Sequence, residues 1–183
     1  ELPKQSVRPI LGNQTVRARD LFEQCIDQNA DALFRVAFRL TGQRDLAEEL
    51  VQETCLSAWK SIGSLQDDSK MRAWVFSILR NQFSKLLRKI PKTKQLTTAA
   101  LGDLTAEQPH HNETDELIQA AIEALGDDQK FPTLLVAMEG MSVDAAAEIL
   151  DIPRGTVLSR LHRGRQNIKQ FLIRNGVMES EKD

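Results

Sequence analysis

Residues 141–171 read MSVDAAAEILDIPRGTVLSRLHRGRQNIKQF and carry the most informative pattern in the chain. Ser142 can cap a helix, because its side-chain oxygen can accept a hydrogen bond from an unpaired backbone N–H. Pro153 disfavours helical geometry at the residue before it and suits the first turn of a following helix. After this proline, apolar residues recur at helical spacing, at Val157, Leu161, Ile168 and Phe171. The stretch therefore predicts two helices joined by a tight turn.

The second of these helices has a strongly basic outer face. Between residues 154 and 174 the sequence has six Lys or Arg and no Asp or Glu. The polar and cationic residues on this face are Arg154, Thr156, Ser159, Arg160, His162, Arg163 and Arg165. A cationic helix presented by a helix-turn-helix suits the major groove of B-DNA. A solvated basic face on an ordinary helical hairpin has a similar charge, but the turn chemistry and the absence of acids favour DNA binding.

Positive and negative charges are concentrated in separate segments of the chain. The 183 residues have a net charge of only −2, so no global basicity indicates a nucleic-acid partner. Residues 66–94 contain eight Lys or Arg against two Asp, whereas residues 95–128 contain eight Asp or Glu and no Lys or Arg. Gly102 and Pro109 lie in the acidic part, which gives it the composition of a linker. The pattern predicts two small domains joined by a flexible acidic linker.

The fold class predicted is all-α, because helical periodicity is frequent and β-branched alternation is nearly absent. The predicted helices span residues 18–40, 45–61, 71–89, 114–125, 128–138, 142–150 and 154–173. The predicted organisation is a flexible N-terminal tail (1–17), a first domain (18–91), the linker (92–113), a second domain (114–175) and a C-terminal tail (176–183).

Several function classes are disfavoured by the sequence. It contains no nucleophile–base pairing and no phosphate-cradling Gly-rich loop, so we expect no catalytic activity, cofactor or small-molecule substrate. His110 and His111 fall in the linker, and no metal site is predicted. Cys25 and Cys55 lack CxxC spacing and are interpreted as reduced thiols, with a disulfide as the minor alternative. Without a long apolar run or a signal-peptide pattern, the expected location is the cytoplasm.

Two blocks of this sequence resemble the extracytoplasmic-function group of bacterial RNA polymerase sigma factors. The first block is RLTGQRDLAEELVQETCLSAW at 39–59, followed after a polar loop by RAWVFSILRNQFSKLLR at 72–88, and it resembles sigma region two. The second is residues 140–171, including GTVLSRLHRGR, and it resembles the helix-turn-helix of region four. The resemblance implies a promoter-specificity subunit of RNA polymerase that recognises the −10 and −35 elements of promoter DNA.

The resemblance also implies a docking surface for core RNA polymerase, on the β′ clamp helices, with the β flap as a further contact. The matching positions form the outer face of the second helix: Asp45, Glu48, Glu49, Gln52 and Glu53. A carboxylate-rich helix suits a basic partner, with a gain in steering and register more than in affinity. A merely solvated polar face is the alternative interpretation.

For the −10 element, the resemblance places capture of a flipped non-template base at residues 63–70 and the start of the following helix. A flipped base costs a few kcal/mol of stacking, so a pocket and cations that neutralise the backbone are needed. The candidate residues for following this strand are Lys70, Arg72, Arg80, Asn81, Lys85 and Arg88. Trp59 and Trp74 lie in apolar stripes and are predicted to be core residues rather than stacking platforms.

For the −35 element, the resemblance directs Ser159, His162 and Arg163 toward bases. It directs a second set toward phosphates, namely Arg154, Thr156, Arg160 and Arg165. His162 is equally compatible with a structural role at the rim. Two features depart from the family pattern: residues 124–132 read ALGDDQKFP where many relatives have LPxxxR, and Leu158 stands where a cation is common. These departures leave the helix boundary near Pro132 and the −35 preference open.

Two other functions are compatible with parts of this sequence. A helix-turn-helix regulator that acts without polymerase would need a ligand pocket or a dimer helix in residues 18–90. A sigma-like decoy for an anti-sigma factor would have lost its basic DNA-facing residues, and both basic helices are intact here. The family resemblance further implies control by an anti-sigma factor, which is often anchored in the membrane.

Overall fold

The computed structural model describes residues 11–65, 67–89 and 113–178, and these ranges are helical, with short turns and no strand. The helices are α1 (Leu11–Thr41), α2 (Arg44–Ser61), α3 (Met71–Lys89), α4 (Glu113–Glu123), α5 (Asp127–Thr133), α6 (Val143–Leu150) and α7 (Arg154–Arg174). The all-α prediction is confirmed. The predicted linker, with His110 and His111, lies almost wholly outside the described residues.

The first helix begins earlier than its sequence indicated. We predicted irregular chain up to about Val16, but α1 already includes Leu11. The backbone is therefore helical rather than irregular from residue 11 onward, while residues 1–10 lie outside the described part. Gly12 and Asn13 are poor helix formers. Extension of an existing long helix nevertheless costs far less than nucleation of a new one, so two weak positions do not stop it.

Helices α1, α2 and α3 pack into one unit, which we call the N-module. Its fully buried side chains include Leu33 and Val36 from α1 and Val75, Phe76 and Leu79 from α3. The predicted core position of Trp59 is wrong, because this residue is 46% exposed. Its ring makes an edge-to-face contact with the ring of Phe22.

The junction between α1 and α2 is formed by Gly42 and Gln43. Gly42 follows the last residue of α1 with φ of +68°, a left-handed conformation that glycine adopts without strain. Asp45 has a side chain suited to a helix cap, but α2 starts at Arg44 and its cap position is occupied by Gln43 without a side-chain hydrogen bond. Asp45 instead lies in the first turn, where its charge favours the positive end of the helix dipole.

Helices α4 to α7 form the C-module, which contains the predicted helix-turn-helix. The Ser142 hydroxyl accepts a hydrogen bond of 3.1 Å from the backbone N–H of Ala145, as predicted for a helix cap. Asp151 turns the chain between α6 and α7 with φ of +50°. Pro132 lies inside α5, and the helix continues as a π-helical turn over Leu134–Met138. The missing proline N–H accounts for a changed hydrogen-bond pattern at this place.

Helices α5 and α7 approach closely at Gly164. A Cβ atom at this position would lie 2.8 Å from the Thr133 hydroxyl oxygen, which is buried and has no hydrogen-bond partner among the described residues. A side chain at residue 164 therefore requires either Thr133 or a helix to move.

We expect Gly164→Ala to lower the free energy of unfolding of the C-module by about 1–3 kcal/mol, because overpacking displaces one of the two helices. Thr133→Val should be neutral or stabilising, since it removes an unpaired buried hydroxyl. The same Gly164→Ala change should cost less in a Thr133→Ala background, because the two positions are in contact. Urea denaturation of the wild type, Gly164→Ala, Thr133→Ala and the double variant measures this coupling. Strictly additive effects would contradict the proposed clash.

The two modules pack against each other in this structure. Helix α6 lies on α3, and the rings of Phe83 and Phe131 meet across the boundary at 6.3 Å between centroids. Buried apolar residues of both modules form one continuous cluster. Among the described residues, no helix combines the length and apolarity that a membrane crossing requires.

Candidate polymerase and nucleic-acid interfaces

The outer face of α2 carries the acidic residues singled out from the sequence. Asp45, Glu49, Gln52 and Glu53 are exposed, whereas Glu48 is half-buried. The Glu48 carboxylate accepts a hydrogen bond of 2.8 Å from the Arg44 guanidinium one helical turn earlier. The acidic surface is therefore formed mainly by the other members of the set.

This acidic surface borders a groove between α2 and α3. Glu49 and Glu53 line one side of the groove, and Lys85 and Lys89 line the other. A residue predicted for DNA binding, Lys85, thus lies beside two residues predicted for polymerase binding. Sequence spacing could not show this proximity, because it depends on how α2 and α3 pack.

The six candidates for the −10 strand do not form one surface. Successive residues of an α-helix are rotated by about 100°, which places Asn81, Lys85 and Arg88 together on one side of α3 and Arg72 about 160° away from Arg88. Arg80 is half-buried between these two sides. Lys70 and Arg72, at the start of α3, face the C-module and form ion pairs with it.

The loop before α3 is shaped by Asp67. Its carboxylate accepts hydrogen bonds from the hydroxyl and the backbone N–H of Ser69, at 2.6 and 2.9 Å, and caps a short helical turn over Asp68–Lys70. The same two hydrogen bonds lower the pKa of the Asp67 carboxyl. Beside this loop lies an open cleft of about 380 Å³. Its walls are Ser64, Leu65, Asp67, Lys70, Ala73, Trp74 and Ser77 of the N-module and Glu148 and Ile149 of the C-module.

Trp74 is half-buried, so it is only partly the core residue that we predicted. It packs against the hydrophobic core and also lines the cleft. The cleft therefore offers an aromatic ring, several hydroxyl and carboxylate groups, and the Lys70 ammonium within one concave surface. Glu148 raises the pKa of that ammonium through a hydrogen bond and ion pair at 3.0 Å.

The buried side of α7 contains Val157, Leu161 and Gly164, so the residues opposite are presented to solvent. The centre of this outward side holds Ser159, which is exposed, with His162 and Arg163 beside it. Arg154, exposed at the start of α7, pairs with Asp144 at 3.0 Å, and Arg165 is exposed one turn after Leu161. Thr156 is half-buried, and its carbonyl accepts the Ser159 hydroxyl at 2.9 Å.

Three residues beside the candidate −35 set were missed from sequence. Asp128 of α5 pairs with both Arg163 at 3.2 Å and Arg160 at 3.5 Å, and so offsets part of the positive charge of α7. Gln166 is exposed seven residues after Ser159, on the same outward side, and this periodicity was a usable signal. Leu158, noted only as a departure from the family, is 42% exposed and offers an apolar contact surface.

The two cysteines are free thiols, with Cys25 buried and Cys55 half-buried. Burial raises the pKa of the Cys25 thiol to about 11 and also raises that of Cys55. Both groups are protonated at neutral pH and are therefore poor nucleophiles. In the described part of the chain, no group of three or more His, Cys, Asp or Glu residues is arranged to hold a metal ion.

A helical module with adjacent acidic and cationic surfaces, packed against a helix-turn-helix module, fits a DNA-binding protein of transcription. Comparison with known families agrees with this class. Residues 25–92 match the model of sigma-70 region 2, and residues 115–168 match a model of sigma-70 region 4.

Individual relatives match over most of the chain. The RNA polymerase sigma factor EcfG of Rhodopseudomonas palustris is 35% identical over 77% of this chain and 79% of its own length. SigE of Mycolicibacterium smegmatis is 29% identical over 84% of this chain, which spans 62% of that protein. The sigma factor RpoE of Bartonella quintana, solved in complex with the anti-sigma factor NepR, aligns with a TM-score of 0.68 and 29% identity, over 82% of this chain and 96% of that one.

The chain belongs to the extracytoplasmic-function family of RNA polymerase sigma factors. This is a family of transcription initiation factors, not of enzymes. Its members bind core RNA polymerase and promoter DNA, and the resemblance stated from the two sequence blocks is confirmed.

Proposed function

We propose that this protein is an alternative sigma factor that binds core RNA polymerase and directs initiation at promoters with its own −10 and −35 elements. The observation that carries the proposal is the presence of two cationic helices, α3 and α7, in separate modules that match sigma regions 2 and 4. Each helix supplies one DNA contact, and specificity requires both.

The proposed polymerase-binding surface is the acidic outer face of α2. Its exposed carboxylates suit basic side chains of the β′ clamp helices, and their alignment along one helix face sets the register of the complex. The C-module is assigned to the β flap by family resemblance. The neighbouring groove, with Lys85 and Lys89 opposite Glu49 and Glu53, limits the face on one side.

The proposed −10 surface is the cleft beside the 63–70 loop together with the cations of α3. The N-module wall of this cleft, which includes Trp74, offers a concave surface for one unstacked base, and Glu148 and Ile149 of the C-module form the facing wall. Lys70 lines the cleft, where it would neutralise an adjacent phosphate. Arg72 lies on a different side of α3, where it pairs with Glu139, and it is kept in the set on the family resemblance. Arg80, Asn81, Lys85 and Arg88 would follow the strand along α3, although Lys85 is also within reach of the acidic face of α2.

The proposed −35 surface is the outward side of α7. Ser159, His162 and Arg163 are assigned to bases, and Arg154, Thr156, Arg160 and Arg165 to phosphates. Gln166 and Leu158 are added to the base-facing set, because a leucine can contact a thymine methyl group and a glutamine can pair with adenine. Asp128 would hold Arg163 and Arg160 in position before DNA arrives.

We further propose a cytoplasmic protein controlled by an anti-sigma factor. The support is the similarity to the Bartonella quintana sigma factor, which was solved bound to such a partner. No small-molecule substrate, metal or cofactor is assigned.

Run-off transcription with purified core polymerase on a randomised promoter library tests the proposed function. Initiation that depends on this protein at a shared pair of −10 and −35 motifs is the expected result. Core polymerase alone is the control. Operator binding without any gain in transcription would instead identify a regulator that acts without polymerase, and binding to an anti-sigma factor without initiation would identify a decoy.

We expect Arg163→Ala to remove base preference at one −35 position, with a loss of about 1–3 kcal/mol of discrimination there. Promoter-library selection with the variant measures this preference. Arg174→Ala is the matched control, because it removes an exposed arginine in the last turn of the same helix. A uniform loss of affinity across all sequences would assign Arg163 to a phosphate instead.

A further inference from the structure

Two small residues, Gly155 and Ser159, occupy the centre of the outward side of α7. They lie two residues before and two residues after Val157, which is fully buried. Because successive residues of a helix are rotated by about 100°, both lie about 160° away from the buried side. Both are exposed. In the proposed −35 complex they therefore form the part of α7 nearest the floor of the major groove.

The hydroxyl hydrogen of Ser159 is already used within the helix. The hydroxyl donates to the backbone carbonyl of Thr156 at 2.9 Å. A carbonyl oxygen can only accept, so the hydrogen in this bond is the single hydrogen of the serine hydroxyl. The lone pairs of the hydroxyl oxygen remain available as acceptors, and no donor remains. Ser159 therefore presents only a hydrogen-bond acceptor to the solvent side of α7.

This acceptor has a limited set of partners in the major groove. The groups that can donate to it are the N6 amino group of adenine and the N4 amino group of cytosine. Guanine presents O6 and N7 there, and thymine presents O4, all of which are acceptors. A serine with a free hydroxyl hydrogen could bind either kind of group. The bond to Thr156 therefore gives Ser159 a preference that its residue type alone does not have.

Gly155 is not required by packing within the described part of the chain. A Cβ atom at this position would meet nothing within 4 Å, and the φ angle is outside the left-handed region. Gly164 of the same helix differs, because a Cβ atom there would lie 2.8 Å from the Thr133 hydroxyl oxygen. Glycine is also a weaker helix former than alanine. A glycine without an internal role is suited to close approach of the helix backbone to a ligand.

The properties of Gly155 and Ser159 are complementary. Serine has a short side chain, so its hydroxyl reaches a base edge only when the backbone of α7 lies close to the groove floor. Arg163 can reach a base from much farther away. Gly155 precedes Ser159 by one helical turn on the same side, so a side chain at residue 155 would contact DNA before the Ser159 hydroxyl does.

We propose that Ser159 accepts a hydrogen bond from the amino group of one −35 base, adenine N6 or cytosine N4, and that Gly155 permits the close approach that this contact requires. The proposal rests on the proposed −35 surface and adds the polarity of one base contact to it. One −35 position should therefore accept adenine or cytosine and reject guanine and thymine on the same strand.

The first test is promoter-library selection with the holoenzyme, formed from the full chain and core polymerase. At one −35 position the wild type should favour adenine or cytosine about three- to tenfold, as expected of a single hydrogen bond. Ser159→Ala should abolish this preference. The control Thr114→Ala changes an exposed threonine of α4 and should retain it. A Ser159-dependent preference for guanine or thymine, or none at all, would overturn the proposal.

Base analogues then test the contact at the level of the atom. A labelled promoter duplex carries, at the selected position, a purine without the 6-amino group in place of adenine or a 2-pyrimidinone in place of cytosine. The analogue should weaken binding of the wild-type holoenzyme about three- to tenfold more than binding of the Ser159→Ala holoenzyme, because the variant already lacks the acceptor. The base whose analogue shows this difference is the partner. Equal losses in the two holoenzymes would overturn the proposal.

Gly155→Ala separates close approach to DNA from a structural role. The melting temperature of the free protein should be unchanged or higher, because the new Cβ meets no atom and alanine favours the helix. The affinity of the holoenzyme for the selected duplex should fall at least as much as in Ser159→Ala. Gly164→Ala is the contrasting variant and should lower the melting temperature. Unchanged DNA affinity, or a lower melting temperature, in Gly155→Ala would overturn the role of Gly155.

Arg163→Ala distinguishes failure of this proposal from failure of the proposed −35 surface. If Arg163→Ala alters the preference at one position and Ser159→Ala alters none, the surface stands and the Ser159 contact is rejected. If neither variant alters any −35 preference, the surface itself is rejected.

Discussion

Charge reversal by Glu49→Lys/Glu53→Lys is expected to weaken binding to core RNA polymerase by at least about tenfold, which corresponds to about 1.4 kcal/mol. Both carboxylates are exposed on the outer face of α2, one helical turn apart, and among the described residues no ion pair involves either of them. Lysines at these positions would meet basic residues of the clamp helices, and like charges across an interface repel. Competition binding against a labelled reference sigma factor measures the affinity.

The control for this experiment is Asp27→Lys/Asp31→Lys. It introduces the same change of net charge at exposed acids of the same module, but on α1. A comparable loss of affinity in both double variants would reject α2 as the docking face. The neutral double variant Glu49→Gln/Glu53→Gln should lose less affinity for core polymerase than the lysine variant. The difference between them measures the repulsion that the new lysines add, including repulsion from the nearby Lys85 and Lys89.

Replacement of Phe76 by alanine is expected to lower the free energy of unfolding of the N-module by about 3–5 kcal/mol. The Phe76 side chain is fully buried in the hydrophobic core, so its removal loses the transfer free energy of the ring and leaves a cavity. It also contacts Arg72, one of the residues proposed for the −10 strand, since the Arg72 guanidinium lies 5.7 Å from the ring centroid. The variant should therefore lose single-stranded DNA affinity as well.

Trp59→Ala is the comparison for this experiment, because it removes a larger side chain than Phe76→Ala but from a more exposed position. Trp59 is 46% exposed and contacts the edge of Phe22, so its loss should cost less, about 1–2 kcal/mol. Urea denaturation followed by circular dichroism gives both values. If Trp59→Ala lowered the free energy of unfolding more than Phe76→Ala, side-chain burial would not be what governs the stability of this module.

The electrostatic organisation differs from one that charge counts alone would suggest. Residues 66–94 are strongly basic in sequence, yet Lys70 and Arg72 are neutralised by the C-module and Lys85 lies beside Glu49 and Glu53. On α7, Asp128 similarly offsets Arg160 and Arg163. Each proposed DNA surface thus has a carboxylate beside its cations, which lowers the net positive charge that the surface presents to DNA.

The properties predictable from sequence were those that depend on local chemistry. The bounds of α3 followed from its periodicity, and the cap at Ser142 followed from a hydroxyl beside an unpaired N–H. The helix-turn-helix and its cationic face were predictable for the same reason. These features involve residues within one or two helical turns, so the sequence contains the whole interaction.

The remaining features were decided by tertiary packing alone. The side chains of Arg35 and Glu139 form an ion pair although they are 104 residues apart, and no local pattern relates them. The exposure of Trp59, the division of the −10 candidates between two sides of α3 and the contact of Gly164 with Thr133 likewise depend on how helices from distant parts of the chain pack. The sequence determined which helices form and which charges they carry. Only the packing of those helices determined which charges neutralise one another, because pairing depends on distance in space.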